Sequence, residues 1–183
     1  NMDLTDGIAE ALLCTVIQCA KILHADPADY EARAEVMWAS SLSHNGLTGC
    51  GNDGGDFSCH MLEHEMGGMF DVTHGAALAA IWPSWARYVC KDCLPRFVKY
   101  AINVMKVEPG STDEETALKG IEAMEDFYRQ INMPTNMKEL GIEPTEEQIL
   151  EMTRSCAQAA GGKKGSAKIL YPEDMAAIYR MTL

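Results

Sequence analysis

Cys59-His60-Met61-Leu62-Glu63-His64-Glu65-Met66-Gly67-Gly68-Met69-Phe70-Asp71-Val72-Thr73-His74-Gly75 is the stretch on which the fold turns. Its apolar residues recur at intervals of three and four, the period of an α-helix, until Asp71-Val72 breaks the pattern and His74-Gly75 restarts it. Met61, Met66 and Met69 fall at helical spacing and read as core filler. The stretch is therefore helix, turn, helix, and it holds three of the five histidines of the chain.

The same period extends in both directions. Ile8, Leu12, Val16, Cys19 and Leu23 form one stripe of a helix over residues 6–24, which Asp26-Pro27 ends. A second helix starts near Pro27, carries Tyr30, Val36, Met37, Trp38 and Leu42, and stops at Asn45-Gly46. Four glycines follow between Gly49 and Gly55, after which Asp56 can cap the third helix by accepting from the amides of Ser58 or Cys59. The fourth helix reaches Trp82, where Pro83 kinks or restarts it toward Cys90. Further helices are predicted at 94–105, 112–131, 145–160 and 172–181, with Ser111, Thr112 and Thr145 as caps. The tract Gly161-Gly162-Lys163-Lys164-Gly165 lacks P-loop spacing and reads as a solvated loop. No alternating β-branched run is present, so the expectation is one all-α, multi-helix, bundle-like domain over 1–183.

A formal net charge of −12 with scattered basic residues offers nothing to a phosphate backbone or an anionic bilayer, which argues against nucleic acid and membrane partners. No uninterrupted apolar run approaches the ~20 residues that span a bilayer, and no secretory signal pattern opens the chain. Seven cysteines, several inside apolar helical patterns, suit a reducing, cytoplasmic setting. Cys90-x2-Cys93 has no second pair at zinc-site spacing, and His24 and His44 stand alone as structural residues. Asn1 reads as a remnant ahead of a native Met2.

The histidine cluster carries the chemistry. His60 and His64 lie one helical turn apart on the same face, and His74, beyond the turn, can fold back toward it. Neutral imidazoles from two helices can converge on a divalent ion such as iron or zinc. Gly67 and Gly68 cost a helix interior ~2 kcal/mol together, which points to close approach of another backbone or a ligand. The alternative is three ordinary core or surface histidines. Asp56, four residues before His60, could also pair with it as a ligand, but the glycine loop ahead favours the cap. A metal-dependent hydrolase would need a third close ligand and a carboxylate base, for which Glu63 or Glu65 are the candidates.

His60-x3-His64-x9-His74-Gly75-Ala76-Ala77-Leu78-Ala79 followed by Trp82-Pro83 resembles the signature of the iron-dependent (group III) alcohol dehydrogenases, in the butanol dehydrogenase and aldehyde reductase branch. Tyr30-Glu31-Ala32-Arg33-Ala34-Glu35-Val36-Met37-Trp38-Ala39, Asn45-Gly46-Leu47 and Asp174-Met175-Ala176-Ala177-Ile178-Tyr179 agree with it. The resemblance implies the dehydroquinate synthase-like helical half of a two-domain subunit whose other half binds NAD or NADP. It implies metal ligation by His60 and His74, and a place for His64 beside nicotinamide and substrate, which revises the triad to two ligands and a catalytic neighbour. The implied reaction is hydride transfer between a small alcohol or aldehyde and NAD(P), with Fe2+ or Zn2+ as Lewis acid. Two further ligands come, in the family, from an upstream Asp-x3-His pair. No such pair lies between Met2 and Gly55, so the expectation is a chain that begins after it, lacks the nucleotide-binding domain and is inactive alone. The other expectation is a silent helical module that self-associates or docks on a complementary nucleotide-binding domain.

Overall fold

The computed structural model describes residues 2–52 and 55–183; Asn1 and the Asp53-Gly54 part of the glycine loop lie outside them. The described residues form helices α1 (Asp3–Ala25), α2 (Tyr30–His44), α3 (Ser58–Phe70), α4 (His74–Val89), α5 (Leu94–Asn103), α6 (Asp113–Gln130), α7 (Met137–Leu140), α8 (Glu146–Ala159) and α9 (Pro172–Met181), with a 3-10 turn at Leu47–Gly49. The all-α expectation holds, and the one strand-like pairing among the described residues is the bridge between Lys164 and Leu170. That bridge ties down the glycine- and lysine-rich tract expected to be a solvated loop.

Local chemistry sets most helix ends. Thr145 and Gln148 exchange hydrogen bonds in a reciprocal cap at the start of α8, and the Thr112 hydroxyl accepts from the Glu115 amide at the start of α6. Ser111 does not cap; its amide donates to Glu115. α2 starts at Tyr30 rather than Pro27, because Asp29 accepts from the Ala32 amide and so becomes the cap. α4 runs through Pro83 without a break. Both Pro83 and Ser84 are buried there, and the Ser84 hydroxyl donates to the Met181 carbonyl 3.0 Å away, so tertiary contacts outweigh the missing amide. α7 is a single turn, too short to show a period.

α4 occupies the centre, packed against α3, α6, α7 and α9. Leu62 and Met66 of α3, Ala77, Ile81 and Val89 of α4, Ile121 of α6, Met152 of α8 and Ile178 and Tyr179 of α9 share its core. A smaller cluster of Ile17, Val104, Met124 and Phe127 joins α1 to α5 and α6. The buried Asp6 of α1 receives Arg96 at 2.5 and 2.7 Å and Lys99 at 2.8 Å, both from α5.

Two expectations about the first hairpin are corrected. In α1, residues 11–20 carry no charge, so an 18-residue window of the 23-residue helix reaches a mean hydropathy of 1.5, and the helix is long and apolar enough to cross a bilayer by length and composition. Thr15 and Gln18 interrupt the apolar run and hid this in a count of consecutive residues. In α2, the inward residues are the small Ala32 and Ala39, while Tyr30, Met37 and Trp38 are exposed. Small residues let α1 and α2 approach closely, which turns the large side chains outward.

Gly120 of α6 faces Ala101 of α5 so closely that a Cβ there would stand 2.4 Å from the Ala101 Cβ. Gly120→Ala is expected to cost about 1–3 kcal/mol by overpacking, read from denaturant unfolding. Arg96, by its hydrogen bonds above all, and then Lys99 hold the Asp6 carboxyl well below the ordinary carboxylate range. A lowered folded value means that Asp6 stabilises the fold above the unfolded value of about 3.9 and loses that contribution as pH falls below it. Thermal unfolding between neutral pH and pH 3 should therefore show a shallower acid decline in Asp6→Asn than in the parent chain.

Candidate metal centre

The site is built where α3 meets α4. Asp56 accepts from the Ser58 amide at 3.0 Å, as expected, and also from the amides of Ser166 at 2.6 Å and Ala167 at 2.8 Å, which tie the loop after α8 to the start of α3. Burial opposes ionisation of Asp56, but hydrogen bonds from Ser58, Ala167 and Ser166 outweigh it and keep its carboxyl below the ordinary value. Asp56 is thus engaged in anchoring: its expected bond to the Ser58 amide forms, but the N-cap position of α3 falls to Phe57, whose side chain makes no cap hydrogen bond. Deeper in the fold, the buried Tyr179 hydroxyl donates to the Leu62 carbonyl at 2.7 Å and pins α3 against α9. Asp71, in the left-handed region at φ 53°, ends α3 by donating its amide to the Gly67 carbonyl, and α4 begins three residues later with His74.

This turn brings the three histidines together. One ligating nitrogen from each of His60, His64 and His74 lies within 4.8 Å of the others. Ring centroids are separated by 5.3 Å for His60 and His74, 5.6 Å for His64 and His74, and 6.3 Å for His60 and His64. His60 is half-buried; His64 and His74 are exposed. Burial, and then the neighbouring His74 and His64, lower the pKa of His60 and favour its neutral, ligating form. A set of imidazoles this close, with one ring held neutral, fits a borderline divalent cation such as Fe2+ or Zn2+.

Glu63, considered from the sequence only as a carboxylate base, has a contact that sequence reasoning missed. It is 1% exposed, and its Oε2 meets Nδ1 of His74. Helical register held the signal, because Glu63 shares a face with Met66 and Gly67, and that face meets the core. Gly67 leaves room for the carboxylate: a Cβ there would stand 3.3 Å from Glu63 Oε1. Gly68 has no neighbour within 4 Å of such an atom, so close approach explains only the first of the two glycines. The burial of Glu63 removes it as a solvent-side base, and Glu65 lines a separate cavity between α3 and α8 with Glu151, so neither carboxylate serves a hydrolase at the histidines. Cys90 and Cys93 are free thiols, like the other five, and His44 bonds to Ser43 and the Ser40 carbonyl within its own helix.

Beside His60 lies a cavity of about 310 Å3 walled by Phe57, Leu78, Trp82, Trp85 and Tyr128. Trp82, Trp85 and Tyr128 also line a larger one of about 570 Å3 that reaches Phe97 and Tyr100.

The family described as the Fe-containing alcohol dehydrogenase family, C-terminal, matches residues 1–183. NADH-dependent butanol dehydrogenase A of Clostridium acetobutylicum is 38% identical over 176 residues, covering 96% of this chain and 44% of that protein. The crystal structure of NADH-dependent butanol dehydrogenase A from Thermotoga maritima superposes with a TM-score of 0.89 at 30% identity, over 98% of this chain and 46% of that one. The substrate- and cofactor-free aldehyde reductase YqhD of Escherichia coli gives a TM-score of 0.92 at 26% identity, over 100% and 47%. The chain spans less than half the length of these relatives. It belongs to the Fe-containing alcohol dehydrogenase family, as the all-α C-terminal part.

Proposed function

We propose that this chain is the metal-holding half of an NAD(P)-linked alcohol dehydrogenase, with His60 and His74 as metal ligands and His64 as their catalytic neighbour. The convergence of three imidazole nitrogens from α3 and α4 within 4.8 Å carries the reading. When bound, the metal supplies Lewis acidity that favours deprotonation of an alcohol and release of its hydride to nicotinamide. His60 and His74 hold it from two helices fixed by the core. His64, exposed beside His74, is placed to hydrogen-bond a hydroxyl or to carry a proton at a ring nitrogen. The apolar cavity next to His60 has room for the carbon chain of a small alcohol or aldehyde.

Two imidazoles are half of a four-ligand site, and no strand-turn-helix that could cradle a pyrophosphate occurs among the described residues. Turnover therefore requires a nucleotide-binding domain, and the chain alone is expected to be inactive. Free thiols at all seven cysteines suit a cytoplasmic location. A second reading, a silent module that self-associates, draws on the exposed Tyr30, Met37 and Trp38 of α2.

Zn2+ and Fe2+ titration of the chain separates these readings. Weak binding is expected, reduced in His60→Ala and His74→Ala by more than the roughly tenfold to hundredfold typical of an outer partner, and changed little in His64→Ala. Equal losses in all three variants would restore the triad and displace His64 from its catalytic place. Unchanged binding in all three would leave self-association, followed by sedimentation, as the better account.

A further inference from the structure

We propose that Glu63 is a positioning residue for the metal centre: by accepting from Nδ1–H of His74 it fixes that ring's tautomer and orientation, leaving Nε2 as the nitrogen free to bind metal. The inference rests on the metal reading of His74 given above.

Four observations converge on it. First, a carboxyl group 1% exposed is costly to bury without a partner, and a core position between Leu62 and Met66 could hold an apolar side chain instead. Second, the hydrogen-bond partner of that carboxylate is His74, eleven residues on and in a different helix. Third, the His74 side chain is 52% exposed, and Glu63 is the one described residue hydrogen-bonded to its ring. Without Glu63 its orientation would be left to solvent and to the neighbouring rings of His60 and His64. Fourth, Glu63 is itself rigidly held, since the adjacent Leu62 is buried and its carbonyl takes the Tyr179 hydroxyl, while Gly67 leaves the carboxylate the space it occupies.

The geometry divides labour along one helix. His60 and His64 turn toward the ring of His74, and Glu63, between them in sequence, is buried and reaches that third imidazole from the core side. A neutral imidazole bonded to a carboxylate through Nδ1–H has its lone pair on Nε2, and the adjacent negative charge makes that nitrogen a better donor to a cation.

The test uses the metal-free chain and Zn2+ as probe, with Glu63→Leu, Glu63→Gln and His74→Ala. In the parent, long-range proton–nitrogen correlation spectra at alkaline pH should show His74 protonated at Nδ1. Glu63→Gln keeps an acceptor without charge, so it should retain that tautomer with a partial loss of Zn2+ affinity. Glu63→Leu should shift His74 toward the Nε2–H form and weaken Zn2+ roughly tenfold to hundredfold. Its melting temperature should be equal to or above the parent's, because an apolar side chain replaces a buried polar one. Parent-like tautomer and Zn2+ affinity in Glu63→Leu would overturn the proposal. Should that variant fail to fold, Glu63→Gln decides, and parent affinity there is equally fatal. If His74→Ala leaves Zn2+ affinity untouched, the metal reading of His74 falls and takes the proposal with it; if only His74→Ala is impaired, the proposal alone falls.

Discussion

The seating of α4 is the constraint on which the rest of the molecule depends. Ala77, Ala80, Ile81, Ala86 and Val89 are fully buried along it, and most of these side chains are short, so four other helices can touch one axis. Because α4 begins at His74, the contacts that fill the core also fix where that ring leaves the fold. α3 is held with equal firmness, by Leu62 and Met66 in the same core and by the Tyr179 hydroxyl on its backbone. The imidazoles project from two surfaces that the core has already aligned, so the core by itself orders the cluster.

Much of this was legible in the sequence, for physical reasons that differ by element. The helices α6, α8 and α9 are amphipathic with caps or prolines at their starts, and period plus cap chemistry locates them closely. Pro83 misleads because the cost of a proline is local, whereas the burial that keeps α4 continuous comes from residues such as Met181, distant in sequence. α2 misleads for a related reason. Its apolar pattern predicts which residues dislike water, but the partner helix selects the alanine seam instead.

The site divides the same way. His60, His64 and His74 are visible because their spacing and the turn between them are local properties. Whether three rings or two bind metal was open on spacing alone and entered only through family resemblance. The role of Glu63 was hidden, because an acidic residue between two histidines looks like part of a solvated helix until the register is followed around to the core side. Asp56 was half visible: its bond to Ser58 is local, but its grip on Ser166 and Ala167 spans more than a hundred residues.

The three imidazoles and the carboxylate behind them all come from one helix–turn–helix between His60 and His74. Closing so short a loop takes little chain entropy, and contacts of low sequence separation form early when a chain folds. The histidine cluster is thus a local object, in contrast to a centre whose groups must be gathered from remote strands. Such a cassette depends on the wider fold for rigidity more than for assembly, and it could pass between larger proteins as a single inherited piece.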